Sequence, residues 1–314
     1  MSNTETSMKN LSGPILVLGA GGFIGGHLFR QLRAVREDVC GTMHTSSTYR
    51  PGTFGIDLEI HARAVVENVK PATIFDCVAY GGYLAQKDVS RIYRTNVELK
   101  AQLLELAAEY GVTYVHAGSS SEYGRIMDAP TEDSALLPNS HYAVAKGAGA
   151  GLVWYFGKHR GVRCANLRLY AVYGPGEREE DRLIPQLVKA ARQGNYPPLG
   201  AATITRDFIH VDDVCDAFVA AALSLEHNHH AVRGVVPGDS YNIGTGIPTS
   251  LKELAYLAKG IFGLQGNPTF LSAPMREYDL PGSWYAHPFK AQSCLGWRAK
   301  ISLREGLERL RDAC

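Results

Sequence analysis

Tyr142 and Lys146 stand four residues apart, and residues at that spacing share one face of a helix. A phenol and an ammonium set side by side form an acid/base pair. A free tyrosine ionises near pH ~10, too high for a base in neutral water; an adjacent cation favours the phenolate and lowers that value. Upstream lies the run Ser119-Ser120-Ser121, whose hydroxyls can hold a substrate oxygen against the same phenol. Together these residues suit proton transfer at a hydroxyl or carbonyl. The spacing alone arises by chance on many amphipathic helices, so its meaning depends on the elements that carry it.

Those elements begin with a nucleotide-binding turn. Pro14-Ile15-Leu16-Val17-Leu18 is an apolar run bounded by turn residues, the pattern of a buried strand. Gly19-Ala20-Gly21-Gly22-Phe23-Ile24-Gly25 follows at once, and helical periodicity then runs from His27 to Arg36. A glycine-rich turn between strand and helix lets a pyrophosphate approach the backbone and meet the helix N-terminus. The key set is Gly19, Gly22 and Gly25, with Gly21 extra, so the spacing differs from the common G-x-G-x-x-G. Val39–Met43, Thr73–Val78, Thr113–Ala117 and Arg163–Leu169 read as further strands. They alternate with helices over Glu59–Val69, Asp88–Tyr110 and His141–His159, which implies parallel crossovers and an α/β, doubly wound sheet. Beyond Tyr170 glycine and proline are more frequent and elements shorter. Ser250-Leu-Lys-Glu253 and Ser302-Leu-Arg-Glu305 match capping boxes that start helices.

The glycine turn, the Ser-Ser-Ser-Glu-Tyr-Gly segment at 119–124 and Tyr142-x-x-x-Lys146 resemble the extended short-chain dehydrogenase/reductase family. Its members include NAD(P)-dependent nucleotide-sugar epimerases, 4,6-dehydratases and 4-ketoreductases. The likeness continues through Asp57-Leu58, Asn96, RLYAVYGPG at 168–176 and RDFIHVDDV at 206–214. It closes with YNIGTG at 241–246 and MREYDLPGSW at 275–284, so it spans nearly the whole chain. The resemblance implies a Rossmann-like dinucleotide-binding domain over residues 1–170, to which 206–225 and 241–244 return. A smaller α/β nucleotide-sugar lobe over 171–314 is implied to close on it. Gly19, Gly22, Phe23, Ile24, Gly25, Leu58, Ala79, Lys146, Tyr170 and Val172 are then expected to line the cofactor cleft, with Asp57 on the adenine side. Asn96 is expected to shape the tyrosine's surroundings through buried hydrogen bonds.

Cofactor choice turns on the end of the second strand, where an acidic residue normally bonds the ribose of NAD. Here Val39-Cys40-Gly41-Thr42-Met43-His44-Thr45-Ser46-Ser47 brings no carboxylate until Asp57, and Arg50 lies close behind. The segment resembles the NADP-using branch, so His44, Thr45, Ser46 and Arg50 are expected to accept a 2′-phosphate. NADP(H) is favoured, with NAD as the other possibility.

Ser119 falls where the family places its catalytic Ser or Thr, counted from the Tyr-Gly pair. With a one-residue gap Ser120 takes that place and Glu122 regains a role as a carboxylate acid; without it Glu122 is structural. Water elimination needs an acid and a base beyond the tyrosine, so a dehydratase is disfavoured. In a 4-ketoreductase Tyr142 protonates the carbonyl oxygen as hydride arrives; in an epimerase it removes a hydroxyl proton and the keto sugar is reduced again on its other face. In both, Ser119 polarises the oxygen and Lys146 holds the nicotinamide ribose. The preference for NADP(H) favours reduction of a 4-keto-(6-deoxy)hexose carried on a nucleoside diphosphate. A nucleotide-sugar epimerase with retained NAD(P) is the alternative, ahead of a 4,6-dehydratase or a catalytically silent dinucleotide-binding protein. The diphosphate needs arginines or backbone amides; Arg206 and Arg276 match the family positions, Asp279 suits the ribose, and Arg178 and Arg182 remain undecided. Gly81 and Ser121 are expected to face the sugar, with Tyr80 and Tyr83 beside it. Ala171 departs from the Asn common at its place in relatives, removing one side-chain amide from the diphosphate contact.

Composition agrees with such an enzyme. The 314 residues are 45% hydrophobic with net charge +1, which argues against nucleic acid as partner. No apolar run approaches the ~20 residues that cross a bilayer, and the polar first dozen residues read as a loose tail. Six scattered cysteines without C-x-x-C point to reduced core thiols and a cytoplasmic location. His227, His229 and His230 flank Asn228 in a polar stretch and read as surface residues, so no metal is expected. Asp212-Asp213 suits a helix start, where acids favour the dipole. The resemblance implies a homodimer paired through the helices at 88–110 and 141–159.

Overall fold

The computed structural model describes residues 3–44, 51–126, 128–177, 182–227, 234–272 and 283–313. Seven strands form one wholly parallel sheet: β1 (Ile15–Leu18), β2 (Val39–Met43), β3 (Thr53–Gly55), β4 (Thr73–Asp76), β5 (Thr113–Ser119), β6 (Cys164–Leu169) and a last strand, Ser240–Ile243. Their spatial order is 240–243, β6, β5, β4, β1, β2, β3, reversing direction of growth at β1. A dinucleotide crevice belongs at the carboxyl ends of strands beside such a switch point.

Central strands of a parallel sheet are buried on both faces and therefore read as continuous apolar runs. All four residues of β1 are buried. One face is covered by the helices Phe23–Val35 and Val211–His227, through Leu28, Phe29, Leu32, Val214 and Phe218. The other is covered by Leu58–Val69, Leu99–Tyr110 and His141–His159, through Val65, Leu103, Leu104, Val153 and Phe156. Each fully buried side chain of this kind contributes roughly 1.5–3 kcal/mol of transfer free energy. A separate cluster joins the helices Leu183–Arg192, Leu251–Phe262 and Leu303–Asp312 through Leu187, Leu254, Ile261 and Leu307. It abuts the short pair β7 (Ala171–Tyr173) and β9 (Phe208–His210); β8 (Thr205–Arg206) pairs with Thr249–Ser250.

Four details differ from the sequence reading. The polar first dozen residues are not loose: Asn3–Lys9 is helical, and Met8 and Leu11 bury themselves against the first core. Their apolar spacing was too short to show a period. The helix expected over 88–110 starts at Val89 and is interrupted by a π turn, Arg94–Glu98, before resuming at Leu99; such turns widen a helix locally and recur at functional sites. Ser250 forms a complete capping box with Glu253, whereas Ser302 accepts from the Glu305 amide without the returning bond. Thr53–Gly55 adds an edge strand too short to have been read.

Candidate functional site

The turn after β1 is built for close approach. Gly19 has φ +79°, and a Cβ at Gly25 would sit 2.4 Å from the Gly19 carbonyl oxygen, so only glycine lets the helix pack this tightly on the turn. Gly22 is the N-cap of Phe23–Val35 and supplies no side-chain cap, leaving the first helical amides to receive an anion. Thr42 braces the turn from β2, its Oγ1 accepting from the Gly19 amide at 3.2 Å and its carbonyl from Ala20 at 2.7 Å. These residues fit a dinucleotide pyrophosphate. Phe23 and Ile24 are partly buried in the helix's first turn.

On the helix His141–His159, capped by the Ser140 hydroxyl, Tyr142 and Lys146 share the face turned to the end of β5. The Ser119 hydroxyl lies close enough to the Tyr142 hydroxyl to favour its ionised form. Ser119 Oγ lies 2.5 Å from Ser121 Oγ and accepts from the Ser121 amide at 3.2 Å. Opposite the phenol, a Cβ at Gly82 would come 3.5 Å from the Tyr142 hydroxyl. One at Gly81, where φ is +101°, would strike Ile92 at 2.7 Å and the Tyr142 ring at 3.3 Å. The phenol therefore lies between the serine run and the glycine pair after β4. Asn96, inside the π turn, locks that loop: its Nδ2 donates to the carbonyls of Tyr80 (2.6 Å) and Ile92 (2.8 Å). Ala79 is exposed on the same loop.

The electrostatics correct the simplest view of the pair. Lys146 is buried and its Nζ donates to the Ala117 carbonyl at 2.7 Å, 5.9 Å from the Tyr142 ring centre. Burial pushes the Tyr142 phenol above its ordinary value; the Ser119 hydrogen bond and the Arg182 charge pull it down, and Glu122 raises it. Lys146 is not among these influences, and burial lowers its own value against the pull of Asp76, Glu122 and Cys77. In the protein by itself, the cation acting on the phenol is Arg182, which precedes Leu183–Arg192, bonds Glu177 at 3.2 Å and lies 5.8 Å from the Tyr83 ring centre. Sequence had left Arg182 undecided because nothing local marks which way it points.

Ser120 is a second correction. Its Oγ accepts from the Trp284 indole at 3.1 Å, so it ties β5 to the chain's last third, and Ser119 alone of the two meets Tyr142. The one-residue gap that would have put Ser120 at the phenol fails for a structural reason. Ser119 is the N-cap of the 3-10 turn Ser120–Tyr123, whose first residue points away. Glu122 completes that cap by accepting from the Ser119 amide at 2.9 Å, and its other bonds come from Arg168 Nε (2.7 Å) and Asn166 Nδ2 (3.2 Å). It is fully buried and committed to holding Ser119.

The remaining expected residues are placed as follows. His44 is exposed just past β2, with Arg91 Nη2 3.5 Å from its Nε2 and the Arg91 guanidinium 4.6 Å from the Tyr80 ring centre. Thr45, Ser46 and Arg50 lie outside the described residues, as do Arg178, Arg276 and Asp279. Asp57 caps Leu58–Val69 by accepting from the Glu59 amide at 3.0 Å, and Leu58 is buried. Tyr170 and Val172 are buried beside β6 and in β7. Arg206 is half-buried and donates to the Thr205 carbonyl at 2.7 Å. Its neighbour Asp207, fully buried, accepts from Thr245, Gly246 and Ala286, tying the 206–214 motif to the 241–246 motif. Asp212 and Asp213 sit in the first turn of Val211–His227. Among the described residues no group of three or more His, Cys, Asp or Glu is placed to hold a metal, and no helix is long and apolar enough to cross a membrane.

A pyrophosphate cradle, a Ser-Tyr contact and a buried lysine on one parallel sheet agree with a family model that matches residues 15–244, that of the NAD dependent epimerase/dehydratase family. The chain belongs to this family. It is 30% identical to the UDP-glucose 4-epimerase of Mycolicibacterium smegmatis over 93% of this chain and 95% of that protein. Among solved structures it is similar to MoeE5 in complex with UDP-glucose and NAD: 32% identity, TM-score 0.78, 96% of this chain and 98% of that one. It is also similar to the UDP-glucuronic acid 4-epimerase of Bacillus cereus in complex with UDP-glucuronic acid and NAD: 25% identity, TM-score 0.77, 95% and 98% covered.

Proposed function

We propose that the protein is a 4-epimerase of a nucleoside-diphosphate hexose or hexuronate, which reverses the preference for a 4-ketoreductase drawn from sequence. The Ser119 hydroxyl set beside the Tyr142 phenol carries the reading, in a chain similar over almost its full length to a UDP-sugar 4-epimerase and to solved UDP-sugar complexes. A bound nicotinamide dinucleotide supplies the hydride acceptor and donor. Ser119 would donate to the sugar's C4 oxygen, and Tyr142 would take that oxygen's proton and later return it. Lys146, whose Nζ donates to the Ala117 carbonyl, would hold the nicotinamide ribose. The nucleotide is assigned to the lobe built on 171–314, with Arg206 at its diphosphate. The relatives point to UDP and to NAD. Incubation with UDP-glucose or UDP-glucuronate and catalytic NAD+ tests this directly: the 4-epimer forms without net reduced cofactor, and formation of neither epimer refutes it.

One observation favours a second reading. His44 and Arg91 stand where an acidic residue would select NAD, and an Arg there accommodates a 2′-phosphate. A 4-ketoreductase using NADPH follows if the protein consumes NADPH with a 4-keto nucleotide sugar. Val144, Trp154 and Tyr155, exposed on His141–His159, support a homodimer through that helix.

A further inference from the structure

Directly behind the site lies a set of charged groups the reaction does not use. Asp76 closes β4, and its carboxylate is fully buried. Its Oδ1 accepts from Lys100 Nζ at 2.9 Å and from the Val78 amide at 3.1 Å; its Oδ2 accepts from the Tyr114 hydroxyl at 2.5 Å and His116 Nδ1 at 3.0 Å. Lys100, also fully buried, donates in addition to the Val78 carbonyl at 2.8 Å. The pair thus grips both the amide and the carbonyl of Val78, the residue from which the chain turns into Ala79–Gly82 past Tyr142. On its other side, His116 is the register partner of Asp76 on β5, next to Ala117, whose carbonyl holds Lys146.

A buried ion pair is a weak source of stability, since its desolvation cost offsets most of the attraction. Its geometric effect here is specific. We propose that Asp76 and Lys100 are positioning residues: the pair fixes the turn that carries the cofactor floor and keeps a negative charge beneath Lys146. The inference rests on the role given above to Lys146. The charged and titratable groups around Lys146 are Asp76 and Cys77 from β4 and its end, Glu122 from the 3-10 turn, Lys100 from the helix Leu99–Tyr110 and His116 from β5, with Tyr142 on its own helix. Burial lowers the lysine's value and Asp76 is the largest influence opposing it.

The sign follows from that. Removing the Asp76 charge makes Lys146 lose its proton at lower pH, so binding that needs the ammonium fails sooner as pH rises. The test is calorimetric titration of NAD+ and NADP+ into the full chain between pH 6 and 10, for the wild type, Asp76→Asn, and the charge-neutral Asp76→Asn/Lys100→Met. In Asp76→Asn the alkaline loss of affinity is expected to move down by about one pH unit, the low end of what a close opposite charge produces, and in Asp76→Asn/Lys100→Met, which also removes a repelling cation, by less. Within that window affinity falls about tenfold. Variants that match the wild type at every pH overturn the proposal. So do two variants that both fail to fold, which would make the pair a stability element. A wild type that binds neither dinucleotide removes the reading of the site, and this inference with it.

Discussion

Ser119 and Ser120 are adjacent in sequence and opposite in role, and replacing each by alanine separates them. Ser119 Oγ lies beside the Tyr142 hydroxyl and caps the 3-10 turn through the Ser121 amide. Its loss removes a donor from the oxygen on which charge develops, worth roughly 2.7–4 kcal/mol, or about 10²–10³ in kcat. The lost cap costs about 1 kcal/mol of stability. Ser120 Oγ serves the Trp284 indole. Its loss leaves a part-buried donor without a partner, about 1–3 kcal/mol, taken from stability and from the seating of the 284 segment. At saturating UDP-sugar, Ser119→Ala should lose at least about a hundredfold in kcat while Ser120→Ala stays within about threefold and melts at lower urea. Product formation followed by NMR gives kcat, and urea titration gives stability. A Ser120→Ala chain as impaired in kcat as Ser119→Ala, with equal folded fraction, refutes the assignment of Ser119 to the phenol.

Gly25→Ala forces a Cβ to within 2.4 Å of the Gly19 carbonyl; overpacking of this kind costs roughly 1–3 kcal/mol, and calorimetry should show dinucleotide binding weakened more than stability. Arg168→Met leaves Glu122 buried without its cation and should destabilise by about 3–5 kcal/mol, with Glu122→Gln/Arg168→Met recovering most of it in urea titrations. Arg91→Ala should weaken NADP+ binding while leaving NAD+ unchanged if the end of β2 reads a 2′-phosphate; equal effects on both dinucleotides exclude that reading. Burial holds His116 near pKa 4, below the ordinary 6.5. The unfolded chain therefore takes up a proton the folded one refuses, and stability falls as pH drops from 6.5 towards 4, by about 1.4 kcal/mol per unit at most. His116→Asn should flatten that window in urea midpoints.

The alternation of strands and helices was legible because buried parallel strands leave apolar runs and their covering helices leave a period; Val39–Met43 and His141–His159 were read to the residue. The π turn at 94–98 was not, since its cause is the pair of bonds from Asn96 to the Tyr80 and Ile92 carbonyls, a tertiary event. Tyr142, Lys146 and Ser119 were visible as types at motif spacing. The effect of Lys146 on the phenol was misjudged because i,i+4 spacing sets a shared face, and the ammonium's direction is set by the Ala117 carbonyl on another element. Arg91, Arg182 and Trp284 reach the site from distant segments, and no local pattern marks them.

Where the carboxylates are spent limits the chemistry. Among the described residues, Glu122 is held by Arg168, Asn166 and the Ser119 amide, and Asp76 by Lys100, Tyr114 and His116. Asp207 is held by Thr245, Gly246 and Ala286, and Asp213 by the amides of Lys300 and Ile301. A carboxylate whose oxygens are taken up by donors of the fold is out of reach of a substrate proton, which a shuttle must meet within hydrogen-bond distance. In the proposed reading Tyr142 serves as the acid/base at the sugar. One such group can take and return a proton on a single oxygen, which serves epimerisation and ketone reduction alike. Elimination of water needs a second proton carrier at a neighbouring carbon, and Glu122, the nearest candidate in sequence, faces inward to hold Ser119.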